Sequence, residues 1–124
     1  GGDMTRGSYV SQAEAPGLST TDVKYYRGIY RGGGSKYAEP LRETDYAGLP
    51  PAFLVAAGID PLHDDCFDYA RNLRNAGVAA LVRDEPLLVH AFIRARHMSR
   101  PARASFDAIA RSMSSARRGE PFGW

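Results

Sequence analysis

The feature that most constrains the fold is an apolar run followed by a carboxylate, a helix, a second apolar run and a histidine. Residues 52–57 carry no polar side chain and lie between two prolines and a glycine, a pattern typical of a strand buried in a parallel sheet. Asp60 comes soon after this segment. Apolar residues then recur at helical spacing over about residues 62–76. A second strand is predicted over about residues 78–83, and His90 follows it.

This order predicts that Asp60 and His90 lie at the same edge of a sheet. The unit spans about 30 residues, the size of one βαβ crossover. A crossover makes its two strands parallel, so their carboxyl ends share one edge, where open α/β sheets place their ligands. A carboxylate that accepts from a histidine Nδ1–H fixes the ring tautomer and leaves Nε2 as a general base. Asp60 and His90 are therefore the candidate catalytic residues, as acid and base of a nucleophilic triad.

The segment before this unit predicts a loop, one helix and a connection. Residues 1–17 hold Gly, Ser, Asp and Pro without a sustained period and are expected to form a loop. Within residues 18–48, Ser19 is typical of a helix cap, and helix is predicted over about residues 20–31 before a turn-rich connection. Three tyrosines of this helix are interpreted as packing residues rather than a binding platform: Tyr25, Tyr26 and Tyr30.

The segment after His90 predicts a last helix. Ser99 suits a helix cap, and helix is expected over about residues 100–115, which completes a unit of residues 49–115. Residues 116–124 form a tail that should fray. The whole chain of 124 residues fits one small domain. The apolar stripe of the last helix is predicted to consist of Ala102, Phe106, Ile109, Ala110 and Met113.

Composition excludes several classes of protein. The single cysteine, Cys66, excludes an internal disulfide framework, and it lies on the apolar helix stripe as a small hydrophobic residue. No run approaches the ~18–20 apolar residues of a membrane span. The net charge of +2 argues neither for nor against nucleic acid, and the basic residues are scattered, so no nucleic-acid partner is expected. The compartment is left open, with a soluble, cytoplasmic chain slightly favoured.

Four motifs follow one another along the chain: Leu49-Pro50-Pro51-Ala52, the run from Ala56 to Asp64 with its Asp60-Pro61-Leu62-His63-Asp64, the run from Tyr69 to Val78, and His90-Ala91-Phe92. Together they resemble the C-terminal part of the hormone-sensitive-lipase-like carboxylesterases, which have the α/β-hydrolase fold. The resemblance is close over about residues 40–93, and the order and spacing of the motifs make it specific. By this resemblance Asp60 is the triad acid and His90 the triad base.

The resemblance implies an α/β fold class, with two parallel strands and flanking helices as the C-terminal portion of an α/β-hydrolase domain. It implies a small-molecule acyl ester as substrate and no cofactor. No Gly-x-Ser-x-Gly elbow and no His-Gly-Gly-Gly oxyanion segment occur in the sequence, so the nucleophile and oxyanion hole are expected in a missing N-terminal half. The chain alone is expected to be inactive, with that half as its partner and a homodimer as a further candidate. The segment Arg31-Gly32-Gly33-Gly34 is interpreted as a loop.

Alternatives remain open at individual residues. Asp64, in the first turn of the predicted helix, is the runner-up triad acid. A metal site of His63, Asp64 and His90 is conceivable but has no supporting spacing, and no metal is expected. His63 and His97 are expected at the surface. Ala91 replaces the glycine of the family pattern, which is tolerable at negative φ and costly at positive φ.

A second class of function is also open. The chain could be a non-catalytic α/β interaction or dimerisation module derived from the same fold, because an exposed sheet edge invites pairing with another chain. Recovery of the upstream coding sequence would discriminate between this module and the esterase fragment.

Overall fold

The computed structural model describes residues 3–30, 35 and 37–122. The predicted loop over residues 31–34 lies outside the described residues. The chain divides into two compact units, residues 1–90 and residues 91–124. No helix among the described residues has the length and apolarity to cross a membrane.

The first unit is built around a parallel pair of strands joined by a helix. Strand β1 is Ala52–Ile59, helix α3 is His63–Asn75, and strand β2 is Ala80–Val89. Ala52 lies opposite Ala80, and the pairing continues in step to Ala57 opposite Glu85. The predicted fold class, two parallel strands with flanking helices, is confirmed. The strand pair is less enclosed than predicted, because six of the eight β1 residues are only partly buried.

Strand β2 is displaced from its predicted position over residues 78–83. It begins two residues later and continues through Pro86 to Val89, beyond the predicted end of the strand. The reason is a bulge: after Ala57 the register moves on to Ile59 opposite Val89, so the single residue Gly58 faces three residues of β2. A proline fits such an irregularity because the interrupted ladder needs no N–H donor there.

The bulge brings the two backbones into direct contact at Gly58. A Cβ at this position would lie 2.5 Å from both the Cα and the carbonyl oxygen of Pro86, closer than any side-chain carbon can stand. Glycine is therefore required at the point where β1 passes the bulge.

The turn-rich connection before β1 contributes to the core. It contains a 3₁₀ turn at Pro40–Arg42. Tyr46 is buried with Leu73 of α3 and Val78, and its ring meets the Tyr69 ring edge-on with centroids 5.7 Å apart. The tyrosine hydroxyl donates to the carbonyl of Pro40 at 2.8 Å, so its polar end has a partner.

The predicted loop over residues 1–17 contains a short helix, α1, at Gly7–Ser11. Tyr9 in this helix is only 1% exposed. The prediction of a loop missed α1, because this helix has no apolar period of its own. It is held by hydrogen bonds to α3, which lies more than fifty residues further along the chain.

Helix α2, Thr20–Tyr30, agrees with prediction in position but not in packing. Ser19 Oγ accepts from the Asp22 amide at 3.0 Å, while Asp22 accepts from the Ser19 amide at 2.8 Å, which confirms the predicted cap. The interpretation of its tyrosines as packing residues was wrong, because the helix buries only Thr20 among the described residues. The exposed side chains are Tyr25, Tyr26, Ile29 and Tyr30.

The second unit holds a 3₁₀ turn at Phe92–Ala95 and helix α4 at Arg100–Arg117. The side chain of Ser99 caps α4 as predicted, and the helix runs two residues further than expected. The predicted apolar stripe is confirmed only in part: Ala102 is buried and Phe106 and Ile109 are partly buried, but Ala110 and Met113 are exposed. The buried face of α4 consists of small side chains: Ala102, Ser105, Ala108 and Ser112.

Candidate active site

The structure brings Asp60 and His90 into direct contact. Asp60 Oδ2 and His90 Nδ1 are 2.8 Å apart. An ionised carboxylate can only accept, so Nδ1 carries the proton and donates it. In the neutral form of the ring this tautomer leaves Nε2 unprotonated, and that is the atom that a general base uses. The two residues therefore have the geometry of a carboxylate–histidine relay.

Asp60 owes its position to the turn between β1 and α3. It is 6% exposed, and its second oxygen, Oδ1, accepts from the Leu62 amide at 2.9 Å. Each carboxylate oxygen thus has one donor, which a buried negative charge requires. Pro61 lies between the two residues and fixes the backbone angle at the first turn before α3.

His90 follows directly after β2 and is more accessible than its partner. The side chain of His90 is 37% exposed, whereas the side chain of Asp60, taken alone, is 8% exposed. No hydrogen bond joins Nε2 to any residue in the described part of the chain. One nitrogen of the ring is therefore anchored by a buried carboxylate, while the ring itself remains accessible to a reacting group.

A segment that sequence reasoning missed contacts the turn that carries Asp60. Ser8 in α1 is 4% exposed and donates through Oγ to the Pro61 carbonyl at 2.7 Å. Tyr9 donates its hydroxyl to Asp65 at 2.8 Å, and burial raises the pKa of this phenol. These side chains belong to the segment Gly7-Ser8-Tyr9, and no local pattern in the sequence predicts which residues they contact.

The runner-up acid, Asp64, has other partners. Its Oδ1 lies 3.0 Å from His63 Nδ1, and its Oδ2 accepts from the Ser8 amide at 2.9 Å. The hydrogen bond to His63 lowers the pKa of Asp64 despite partial burial. As expected, Asp64 lies in the first turn of α3, and Asp65 lies there too.

His63 bridges two carboxylates and is only partly at the surface. Its Nε2 lies 3.1 Å from Asp84 in β2, and its ring is 5.0 Å from the Phe67 ring. Burial alone would lower the pKa of His63, but the hydrogen bonds to Asp64 and Asp84 outweigh burial and raise it. His97, by contrast, is exposed as predicted.

The remaining candidates do not form a second reactive centre. Among residues 3–30, 35 and 37–122, no group of three His, Cys, Asp or Glu side chains could hold a metal ion. Burial and nearby carboxylates raise the pKa of Cys66 to about 11, so its thiol stays protonated at neutral pH. A cleft of about 380 Å³ lies away from the relay, lined by residues 43–46 and by Asn72, Asn75 and Ala76.

The residue after His90 adopts the conformation in which glycine is preferred. Ala91 has φ of 58° and ψ of 24°, in the left-handed region. Among the described residues, Ala91 is the only one other than glycine with a positive φ. The added methyl group is therefore the costly case of the two that sequence reasoning left open, by about 1 kcal/mol.

Comparison with known proteins identifies the family of the chain. Residues 2–94 match the family described as alpha/beta hydrolase fold. The carboxylesterase NlhH of Mycobacterium tuberculosis is 33% identical over 98 residues, which cover 73% of this chain and 31% of the relative. The esterase LipI of the same organism is 32% identical over 96 residues, which cover 73% and 30%. The chain thus spans about a third of the length of these relatives.

Solved structures give the same fold. Vibralactone cyclase superposes with a TM-score of 0.81 at 27% identity, over 86% of this chain and 32% of that one. A mutant of the esterase rPPE superposes with a TM-score of 0.77 at 27% identity, over 84% and 35%. The resemblance to carboxylesterases is confirmed, and the chain belongs to the alpha/beta-hydrolase family.

Proposed function

We propose that this chain supplies the acid, Asp60, and the base, His90, of the Ser–Asp–His triad of a carboxylic ester hydrolase. The observation that carries the proposal is the 2.8 Å contact between the buried Asp60 carboxylate and Nδ1 of the accessible His90 ring. The names of the relatives support the reaction class, because NlhH is a carboxylesterase and LipI an esterase. The proposed substrate is a small-molecule acyl ester.

The proposed chemistry assigns one task to each residue. A serine of the N-terminal part attacks the ester carbonyl, and His90 Nε2 takes the hydroxyl proton as the new bond forms. The imidazolium then gives this proton to the leaving alcohol, and Asp60 stabilises the positive ring throughout. Water, deprotonated by the same nitrogen, releases the acid from the acyl-enzyme and restores the serine. The cycle needs no cofactor.

The chain alone is proposed to be inactive. The sequence holds neither a Gly-x-Ser-x-Gly elbow nor a His-Gly-Gly-Gly segment. Without a nucleophile, His90 has no proton to take, and without oxyanion donors the tetrahedral intermediate is not stabilised. The partner that would supply both is an N-terminal half of the same enzyme.

Turnover of a p-nitrophenyl ester tests this proposal. The chain is assayed alone and completed with the polypeptide encoded upstream, and activity is expected only in the completed protein. His90→Ala should lower kcat by at least about 10³-fold. The matched control His97→Ala, at an exposed histidine, should leave kcat unchanged. Unchanged turnover in His90→Ala would refute the assignment.

A second candidate is a non-catalytic interaction or dimerisation module, and the observation that favours it is the surface of α2. Tyr25, Tyr26, Ile29 and Tyr30 are between 59% and 71% exposed, which is unusual for large side chains grouped on one helix. The upstream coding sequence and sedimentation of the chain discriminate between the two functions. A dimer with no nucleophile encoded upstream would favour the module.

A further inference from the structure

We propose that Ser8 is a positioning residue for Asp60 and His90, and that it acts through the single peptide unit between Pro61 and Leu62. This inference rests on the proposed function, since positioning matters only if the two side chains act as a relay. It gives a role to the N-terminal segment, which carries none of the family motifs identified in the sequence.

A continuous chain of three hydrogen bonds leads from Ser8 to His90. Ser8 Oγ donates to the carbonyl oxygen of Pro61 at 2.7 Å. The N–H of that same peptide unit, which belongs to Leu62, donates to Asp60 Oδ1 at 2.9 Å. The other oxygen of Asp60 accepts from His90 Nδ1 at 2.8 Å.

The peptide unit transmits the effect of Ser8 because it is rigid and polarisable. A peptide group is planar, so a hydrogen bond that fixes the carbonyl also fixes the direction of the N–H. A donor on the carbonyl withdraws charge from the group and makes its N–H a stronger donor. The surroundings screen this poorly, because Ser8 is 4% and Asp60 6% exposed. The Leu62 amide thus acts on a carboxylate, the kind of acceptor for which hydrogen bonds are strongest.

Asp64 orients the Ser8 hydroxyl. The Asp64 amide donates to Ser8 Oγ at 3.2 Å, while the Ser8 amide donates to Asp64 Oδ2 at 2.9 Å. Because Oγ already accepts from Asp64, its own proton is left for the Pro61 carbonyl. The runner-up acid thereby gains a different role, as the anchor of Ser8.

The segment around Ser8 is fixed independently of the relay. Thr20 donates to the Tyr9 carbonyl at 2.7 Å, and the Tyr9 hydroxyl donates to Asp65. Arg6 forms an ion pair with Asp68 of α3. These contacts hold α1 in place, so the hydroxyl of Ser8 can be removed without removing every attachment of the helix.

Nuclear magnetic resonance of the ¹⁵N-labelled chain tests the proposal. The quantities measured are the solvent exchange rates of the His90 Nδ1 proton and of the Leu62 amide proton. Ser8→Ala should raise both rates about tenfold, the factor expected for one hydrogen bond. Ser8→Thr, which keeps the hydroxyl, should restore rates near those of wild type. The matched control is Ser11→Ala, at an exposed serine of the same helix, and should change neither.

The outcomes separate this inference from the proposed function. If Asp60→Asn alters the His90 Nδ1 proton while Ser8→Ala leaves both protons unchanged, the role of Ser8 is refuted and the relay stands. If Asp60→Asn leaves the His90 proton unchanged, the relay itself fails.

Wild type decides the question if Ser8→Ala does not fold. The Ser8 hydroxyl proton is then expected to exchange slowly enough to give its own resonance. Exchange as fast as that of the Ser11 hydroxyl would overturn the inference.

Discussion

Asp60 is held by hydrogen bonds, whereas His90 is placed by the course of its strand. Both oxygens of Asp60 have donors, and the peptide that supplies one of them is itself bound by Ser8. His90 has Asp60 as its side-chain partner and follows a strand whose last residues pass a bulge at Gly58. One side of the relay therefore depends on hydrogen bonds to a distant segment, and the other on the backbone contact between the two strands.

This difference predicts different sensitivities to substitution. The acid side contains several polar contacts, each of ordinary strength, so the loss of one weakens it in part. The histidine side depends on close backbone approach, where one added carbon has no space. The effects of substitutions on the two sides should therefore differ in size as well as in kind.

The largest effect on stability is expected for Gly58→Ala. Its Cβ would meet the backbone of Pro86, which cannot move aside as a flexible side chain would. The free energy of unfolding in urea should fall by about 3 kcal/mol, at the upper end for overpacked sites. The matched control is Gly28→Ala in α2, where nothing lies within 4 Å and a gain of about 0.5–1 kcal/mol is expected. Equal effects at the two glycines would contradict the proposed role of the bulge.

Thr20→Val tests the acid side, because Thr20 holds α1, the helix that carries Ser8. It removes the donor to the buried Tyr9 carbonyl and should cost about 1–3 kcal/mol, because that acceptor loses its partner without gaining water. Thr21→Val, at the exposed neighbouring threonine, should cost less than about 0.5 kcal/mol. Urea unfolding of both variants gives the comparison. A loss at Thr20 as small as at Thr21 would show that α1 is not held as described.

Part of the fold and of the candidate site could be predicted from the sequence, and the rest could not, for physical reasons. The strand before Asp60 and the helix after it are local patterns, and they agree with the structure. Pro86 fell outside the predicted strand because a bulge depends on the facing strand, which a local pattern does not contain. The part played by Ser8 rests on contacts across more than fifty residues, and no periodicity in residues 1–17 reports them.

Size and exposure explain the other differences. The tyrosines of α2 were interpreted as packing residues because large aromatic side chains usually pack, but the helix has only one buried residue in the described chain. In α4, the helical spacing of apolar residues selected Met113, whereas the buried face is formed by small side chains such as Ser105 and Ala108. Burial depends on what an element packs against, which its own sequence specifies only in part.

On the histidine side, Ala91→Gly should stabilise the chain. Glycine adopts a φ of 58° without the steric cost that alanine meets, so a gain of about 1 kcal/mol is expected. The same substitution at Ala104, an exposed position in α4, should instead cost about 0.5–1 kcal/mol. Thermal unfolding measures both. A loss of stability at Ala91 would contradict the left-handed backbone.

The smallest effect is a pH dependence from His63. Because its pKa is raised in the folded state, this histidine stabilises the fold fully below its ordinary pKa of 6.5. That contribution is lost as the pH rises from 6.5 through the folded-state pKa. The free energy of unfolding of wild type minus that of His63→Gln should therefore decrease over this range, by less than about 1 kcal/mol for a partly exposed pair. A difference that grows with pH would exclude the bridge between Asp64 and Asp84.

The most direct test of the central claim compares the two candidate acids. The kcat for a p-nitrophenyl ester is measured in the completed protein for wild type, Asp60→Asn and Asp64→Asn. Asp60→Asn should lower kcat by about 10⁴-fold, because the amide no longer holds the productive tautomer of His90. Asp64→Asn should lower it by about tenfold or less, through Ser8 alone. A larger loss in Asp64→Asn than in Asp60→Asn would contradict the assignment of the relay.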